Sequence, residues 1–336
     1  MKPVTPLQLQ TARGMDKWTL WIILGMFAIN IGLGFVPGIT NDLVRLYAIS
    51  ALILELGCIY IPASTFIERR GGRKAFGFTR ISGWECAWAV LFGVGVFFLS
   101  TAVNGLAQFL WQLLGANPDM MPTTPLPTEG GWRLIATIFL VAVIPAFAEE
   151  TLFRGAMLHA WLPRGKKRAL VYTAALFALV HFQPAALPAY LLLSFALGYV
   201  ALATGSVFPA MIVHGVNNLF GILITYLAGD AAVSEAAQAT LTAEMLPVLL
   251  VYAALGVGAC LGGYRGMKTA SDMRAAPQPD AADTEAAAQQ DTPEEAAPVK
   301  NSKISAPLIV IFAILGIVNL FVLISMFLEL PQGMPL

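Results

Sequence analysis

The chain has 336 residues, 57% hydrophobic and 12% charged, with 20 basic and 20 acidic side chains and no formal net charge. Soluble proteins carry roughly 25% charged residues, so a soluble fold is excluded. There is no basic face interleaved with aromatics and no glycine-rich phosphate loop, which argues against a nucleic-acid or nucleotide partner.

Crossing a bilayer takes about 20 mostly apolar residues. Such segments recur near 18–36, 43–66, 84–114, 132–162, 168–186, 188–204, 207–228, 244–264 and 305–328. The expected fold is all-α, a polytopic transmembrane helical bundle of eight to nine spans. The first apolar run follows a polar stretch and has no small-residue cleavage site behind it, so it reads as a retained anchor rather than a signal peptide. Cys58, Cys86 and Cys260 stand singly in apolar segments, without disulfide or thiolate-metal spacing.

The charges are sorted by loop. Arg69, Arg70, Arg73, Lys74 and Arg80 follow the second segment, and Arg164, Lys166, Lys167 and Arg168 follow the fourth, whereas the 115–131 loop holds only Asp119 and Glu129. Positive residues are retained on the cytoplasmic side. The expectation is a cytoplasmic amino terminus and an outside carboxyl terminus, in the plasma (inner) membrane if the source is bacterial. The domains read as amino-terminal spans over 1–131, a polar-bearing core over 132–228, a further span over 229–268, a disordered linker over 269–303 and a last span over 304–336. The linker is rich in Ala, Pro, Gln, Asp and Glu, a composition that cannot bury enough apolar surface to order itself.

Ionisable groups inside a span are costly and mark function by default. The run IPAFAEETLFRG puts Glu149, Glu150 and Arg154 in the fourth segment, His181 lies in the fifth, and His214, Asn217 and Asn218 lie in the seventh. Residues four apart share a helix face and adjacent ones diverge by about 100°. Glu150 and Arg154 therefore form a favourable pair, whereas Glu149 has no partner on its own helix and needs one from elsewhere. A desolvated carboxyl of that kind suits a general base. His214 and Asn218 share a face that offers donors to an oxyanion. Pro145 removes a backbone donor and frees the carbonyl of Val141. His159 and the tryptophans Trp18, Trp84, Trp132 and Trp161 read as interfacial. Counting rise along upright spans puts His181 about 7 Å outside Glu149 and His214 about 6 Å inside it, so straight helices would keep them apart.

Read together, EE-x-x-x-R (Glu149, Glu150, Arg154), F-x-x-x-H (Phe177, His181) and H-x-x-x-N (His214, Asn218) resemble the motif set of the CAAX-prenyl protease and bacteriocin-processing family, also called CPBP or Abi, over about 130–228. The resemblance implies an intramembrane endopeptidase acting on a membrane-embedded or lipidated peptide or protein. It implies that Glu149 activates water with help from His181, that His214 and Asn218 stabilise the oxyanion, and that Glu150 and Arg154 support the site. A metal-free mechanism without cofactor is the favoured expectation; the alternative is zinc held by Glu149, His181 and His214. A non-catalytic scaffold or immunity-type binding protein on the same fold is the rival function.

Overall fold

A computed structural model describes residues 5–36, 38, 42–117, 125–229, 242–276 and 304–328. Among these, nine helices carry the fold: α1 (Pro6–Gly34), α2 (Leu43–Arg69), α3 (Gly83–Leu113), α4 (Gly131–Arg164), α5 (Lys166–Leu179), α6 (Leu187–Thr204), α7 (Phe208–Ala228), α8 (Leu246–Ala275) and α9 (Ala306–Ser325). All but α5 are long and apolar enough to cross a membrane. With 14 residues, α5 rises only about 21 Å. The all-α polytopic bundle is as expected.

Local sequence sets the helix starts. Thr5 with Gln8 and Ser82 with Glu85 form capping boxes at α1 and α3, and the Asp42 side chain caps α2. Each satisfies backbone N–H groups that have no carbonyl partner within the helix.

One end of the bundle is tied by polar contacts between α1, the 70–82 loop, the α4–α5 turn, the α6–α7 turn and α8. Arg164 donates to both Asp16 oxygens, at 2.8 and 2.6 Å, and Trp161 Nε1 donates to Asp16 Oδ1 at 2.9 Å. The backbone N–H of Val207 donates to the Gly77 carbonyl at 2.8 Å. Gly77 has a φ of +79°, and a β-carbon there would lie 2.5 Å from the His159 ring, so only glycine fits. Arg274 clasps Glu85 and also donates to the Thr204 carbonyl. At the opposite end, Tyr47 donates to Pro125 O and the Asn117 N–H donates to Met326 O. The chain thus alternates direction, with α1 starting at the basic end and α9 finishing at the other.

Two expectations change. Trp161 is not a belt residue: it is fully buried because Asp16 accepts its indole N–H, while Trp84 and Trp132 are exposed as a belt requires. The helix of the penultimate span also continues to Ala275, past the expected linker start at 269, because Arg274 finds Glu85. The remainder of that linker, 277–303, lies outside the described residues.

The core centres on α4. Every residue of Thr151–Leu158 is buried, so the helix that carries the acidic pair is wrapped by its neighbours. α3 packs along α8, where a β-carbon on Gly256 would lie 2.8 Å from the Leu99 backbone nitrogen.

Removing one partner of a buried ion pair strands the other charge, at a cost of about 3–5 kcal/mol. Asp16→Ala is expected to lower the unfolding free energy in detergent by that much, and Asp16→Leu combined with Arg164→Leu to recover most of the loss.

Candidate functional site within the bundle

The site begins with Glu150, which is fully buried. Its Oε1 accepts from Arg154 Nη1 at 2.8 Å, the expected i,i+4 pair, and from His214 Nδ1 at 2.9 Å across to α7. Arg154 reaches further: Nη2 donates to the Ser194 carbonyl at 2.9 Å and to Ser194 Oγ at 2.6 Å on α6. Its guanidinium carbon lies 4.7 Å from the centre of the Phe177 ring on α5, within cation–π range. Four helices therefore meet at one ion pair. Glu150 was expected only as the partner of Arg154; it also orients His214.

Phe177 separates the two histidines, with its ring centre 4.8 Å from that of His181 and 5.7 Å from that of His214. His181 Nδ1 lies 2.6 Å from the Phe177 carbonyl. A carbonyl only accepts, so Nδ1 carries the proton and Nε2 is the acceptor of the neutral ring. Tyr190 stacks on the other face at 4.1 Å.

Glu149, His181, His214 and Asn218 all line one cavity of about 530 Å³, which brings together residues that upright helices would have kept at different depths. The reason is α5. Glu149 lies 15 residues before Arg164 and His181 lies 15 after Lys166, each roughly 22 Å of helical rise from the same turn. Centring 168–186 in the membrane displaces His181 outward, whereas counting from the shared turn places it level with Glu149. The helix stops at Leu179, and Phe182, with φ +52°, turns the chain just past that level.

Glu149 Oε2 is buried with no hydrogen-bond partner, as expected for a carboxyl with no mate on its own helix. Asn218 is partly committed elsewhere: its Nδ2 donates to the Val141 carbonyl at 3.1 Å, the group that Pro145 cannot serve. Its Oδ1 accepts from Asn217 Nδ2 at 3.2 Å, which leaves one N–H of its amide for a ligand. His159 stays out of the cavity, with Nδ1 2.7 Å from the Arg154 carbonyl and its ring against Gly77.

Three side chains escaped sequence reading. Ser194 carries no charge and gave no signal. Tyr190 lines the cavity from a helix without a motif. Glu55 on α2 has a buried, unpartnered Oε2 and lies near enough for its charge to act on Glu149. As an ionisable residue in an apolar span, it did carry a readable signal. Among the described residues, no group of three or more His, Cys, Asp or Glu side chains is placed to hold a metal ion.

Fold and site define a polytopic helical membrane protein with a carboxylate- and histidine-lined cavity inside the bundle. Residues 131–220 match the family model of type II CAAX prenyl endopeptidase Rce1-like proteins. That stretch carries all three motifs; α1–α3, α8 and α9 lie outside the match. No curated protein and no solved structure matches the chain.

A buried acceptor left without its donor costs about 1–3 kcal/mol. Asn218→Ala should lose that much stability by stranding the Val141 carbonyl. In a Pro145→Ala background the loss should shrink, because residue 145 regains an N–H. Equal costs in both backgrounds, measured by unfolding in detergent, would contradict the pairing.

Proposed function

We propose that the chain is an intramembrane endopeptidase that hydrolyses a peptide bond in a lipid-modified, membrane-associated protein or peptide, with water activated by Glu149. The observation that carries this reading is the unpartnered Glu149 carboxyl in a cavity that it shares with His181 and His214. The family match, to prenyl endopeptidases, supports the reaction and the substrate class.

In the proposed reaction, Glu149 takes a proton from water while the water oxygen attacks the scissile carbonyl carbon. His181 Nε2, left as an acceptor by the Phe177 carbonyl, holds the second hydrogen of that water. As the carbonyl π electrons move onto oxygen, His214, held by Glu150 through Nδ1, turns Nε2 to the oxyanion. The free N–H of Asn218 is the second donor. Such donors act with most effect where water is scarce and the dipoles are already fixed. When the tetrahedral carbon collapses, the C–N bond breaks and Glu149 passes its proton to the leaving amine. Glu150, Arg154 and Ser194 are positioning residues.

No step needs a metal, and the proposed reaction runs without one. The basic end, with Arg69, Arg70, Arg73, Lys74 and Arg164, is assigned to the cytoplasm by the retention of positive charge there. The amino terminus is then cytoplasmic and the carboxyl terminus outside.

The test is cleavage of a farnesylated peptide ending in cysteine, two aliphatic residues and a variable residue by the detergent-purified protein. General-base catalysis contributes about 10²–10⁴-fold, so Glu149→Gln should slow cleavage by at least 10²-fold with unchanged unfolding. Prior treatment of the wild type with a zinc chelator should leave the rate unchanged. Full activity in Glu149→Gln refutes the assignment, and activity that chelation abolishes and zinc restores refutes the metal-free mechanism. No cleavage by the wild type favours a non-catalytic scaffold.

A further inference from the structure

The cavity does not end at the motif residues. Its far wall is α3, which lies outside the family match and contributes Ser100 and Asn104 to the lining. Gly93, Phe97, Ser100 and Asn104 follow one another at spacings of four, three and four, which is one face of a helix. That face is turned to α7. A β-carbon on Gly93 would lie 2.9 Å from Val216 Cβ, and the Phe97 ring packs 5.4 Å from Phe220. The two apolar positions bring the helices together, and the next two on the stripe are polar.

Those polar groups are unsatisfied. Ser100 Oγ, Asn104 Oδ1 and Asn217 Oδ1 are all buried without a hydrogen-bond partner, in the cavity that also holds the unpartnered Glu149 oxygen. Each such group costs about 1–3 kcal/mol if left unmet, and an apolar side chain at the same place would avoid that cost. The two amide oxygens only accept and the Ser100 hydroxyl can accept as well as donate, so the complement that serves all three is a ligand that presents N–H groups. The spacing narrows the choice further. Ser100 and Asn104 are one helical turn apart, about 6 Å along α3. The N–H groups on one side of an extended peptide repeat every second residue, roughly 6.8 Å.

We propose that Ser100 and Asn104 of α3, with Asn217 of α7, form a backbone clamp that accepts hydrogen bonds from an extended substrate peptide next to its scissile bond. The site reads main chain rather than side chains, so it selects an unfolded segment and not a particular sequence. This rests on the endopeptidase reading, because an extended peptide is the ligand that reading requires. Ser100 and Asn104 take no part in the proton transfers.

The test measures two quantities with the farnesylated peptide and with analogues N-methylated, one at a time, at the amides on either side of the scissile bond. One is KM and kcat for wild type, Ser100→Ala and Asn104→Leu; the other is equilibrium binding to the same three chains carrying Glu149→Gln, which reads the clamp without turnover. Asn104→Leu should weaken binding and raise KM about five- to tenfold, with kcat within twofold, and Ser100→Ala should do so to a smaller extent. N-methylation of one of these amides should weaken binding equally in the Asn104 wild type and have no further effect in Asn104→Leu. Unfolding should be unchanged or shifted upward in Asn104→Leu, since the substitution removes an unmet polar group. An additive loss on N-methylation, or unchanged binding in Asn104→Leu while the wild type still cleaves, overturns the clamp and leaves the protease reading intact. Binding that depends on Asn104 in a chain that does not cleave upholds the clamp as a peptide site and overturns the protease reading. A wild type that neither binds nor cleaves overturns both.

Discussion

Everything in the bundle interior depends on one carboxylate serving two partners. Glu150 is buried against Arg154 on its own helix and His214 on α7, and Arg154 extends the connection to Ser194 on α6 and Phe177 on α5. Ions buried in a bilayer protein are tolerated only when paired and hydrogen-bonded. The pair therefore constrains where four helices can sit relative to one another. Each glutamate keeps a buried Oε2 without a partner, but Glu150 takes the cation through Oε1, and Glu149, about 100° further round the same helix, has no ion pair. The adjacent glutamates become chemically different through geometry alone.

The second constraint is the turn that α4 and α5 share, which leaves Glu149 and His181 equally many residues away from it; α5 stops at Leu179 and the chain turns at Phe182, just past that level. The cavity wall is completed from outside the family match, with Ser100 and Asn104 of α3 in the same lining as the motif residues. A non-helical turn at depth is acceptable in a membrane protein when it is covered by protein or lines a wet cavity. Here Asn319 of α9 donates to the Leu179 carbonyl at 2.9 Å, which covers part of that turn.

Much of this could be read in the sequence because apolar runs of about 20 residues and ionisable residues within them are strong one-dimensional signals. The helices, the pairing of Glu150 with Arg154, and the carbonyl freed by Pro145 follow from length, i,i+4 spacing and the missing proline N–H. The contact between Glu150 and His214 does not, because periodicity orders residues around one helix and says nothing about which neighbour faces it. The same holds for Ser194, an uncharged residue whose importance comes only from lying opposite Arg154. Trp161 was misassigned because tryptophan near a span end resembles a belt residue until its buried acceptor, Asp16, is located. Glu55 is legible as an ionisable residue in an apolar span, but no motif ties it to the segment of Glu149.

The chain has three histidines, so nitrogen-15 labelling of histidine resolves the shared carboxylate directly. In detergent-solubilised protein, one imidazole signal should be missing from a His214→Gln sample, and that same signal should be the one displaced by Glu150→Gln, while the His181 signal stays in place as the tautomer protonated at Nδ1. A Glu150→Gln spectrum that leaves the His214 signal unmoved, or that displaces His181 instead, would contradict the account.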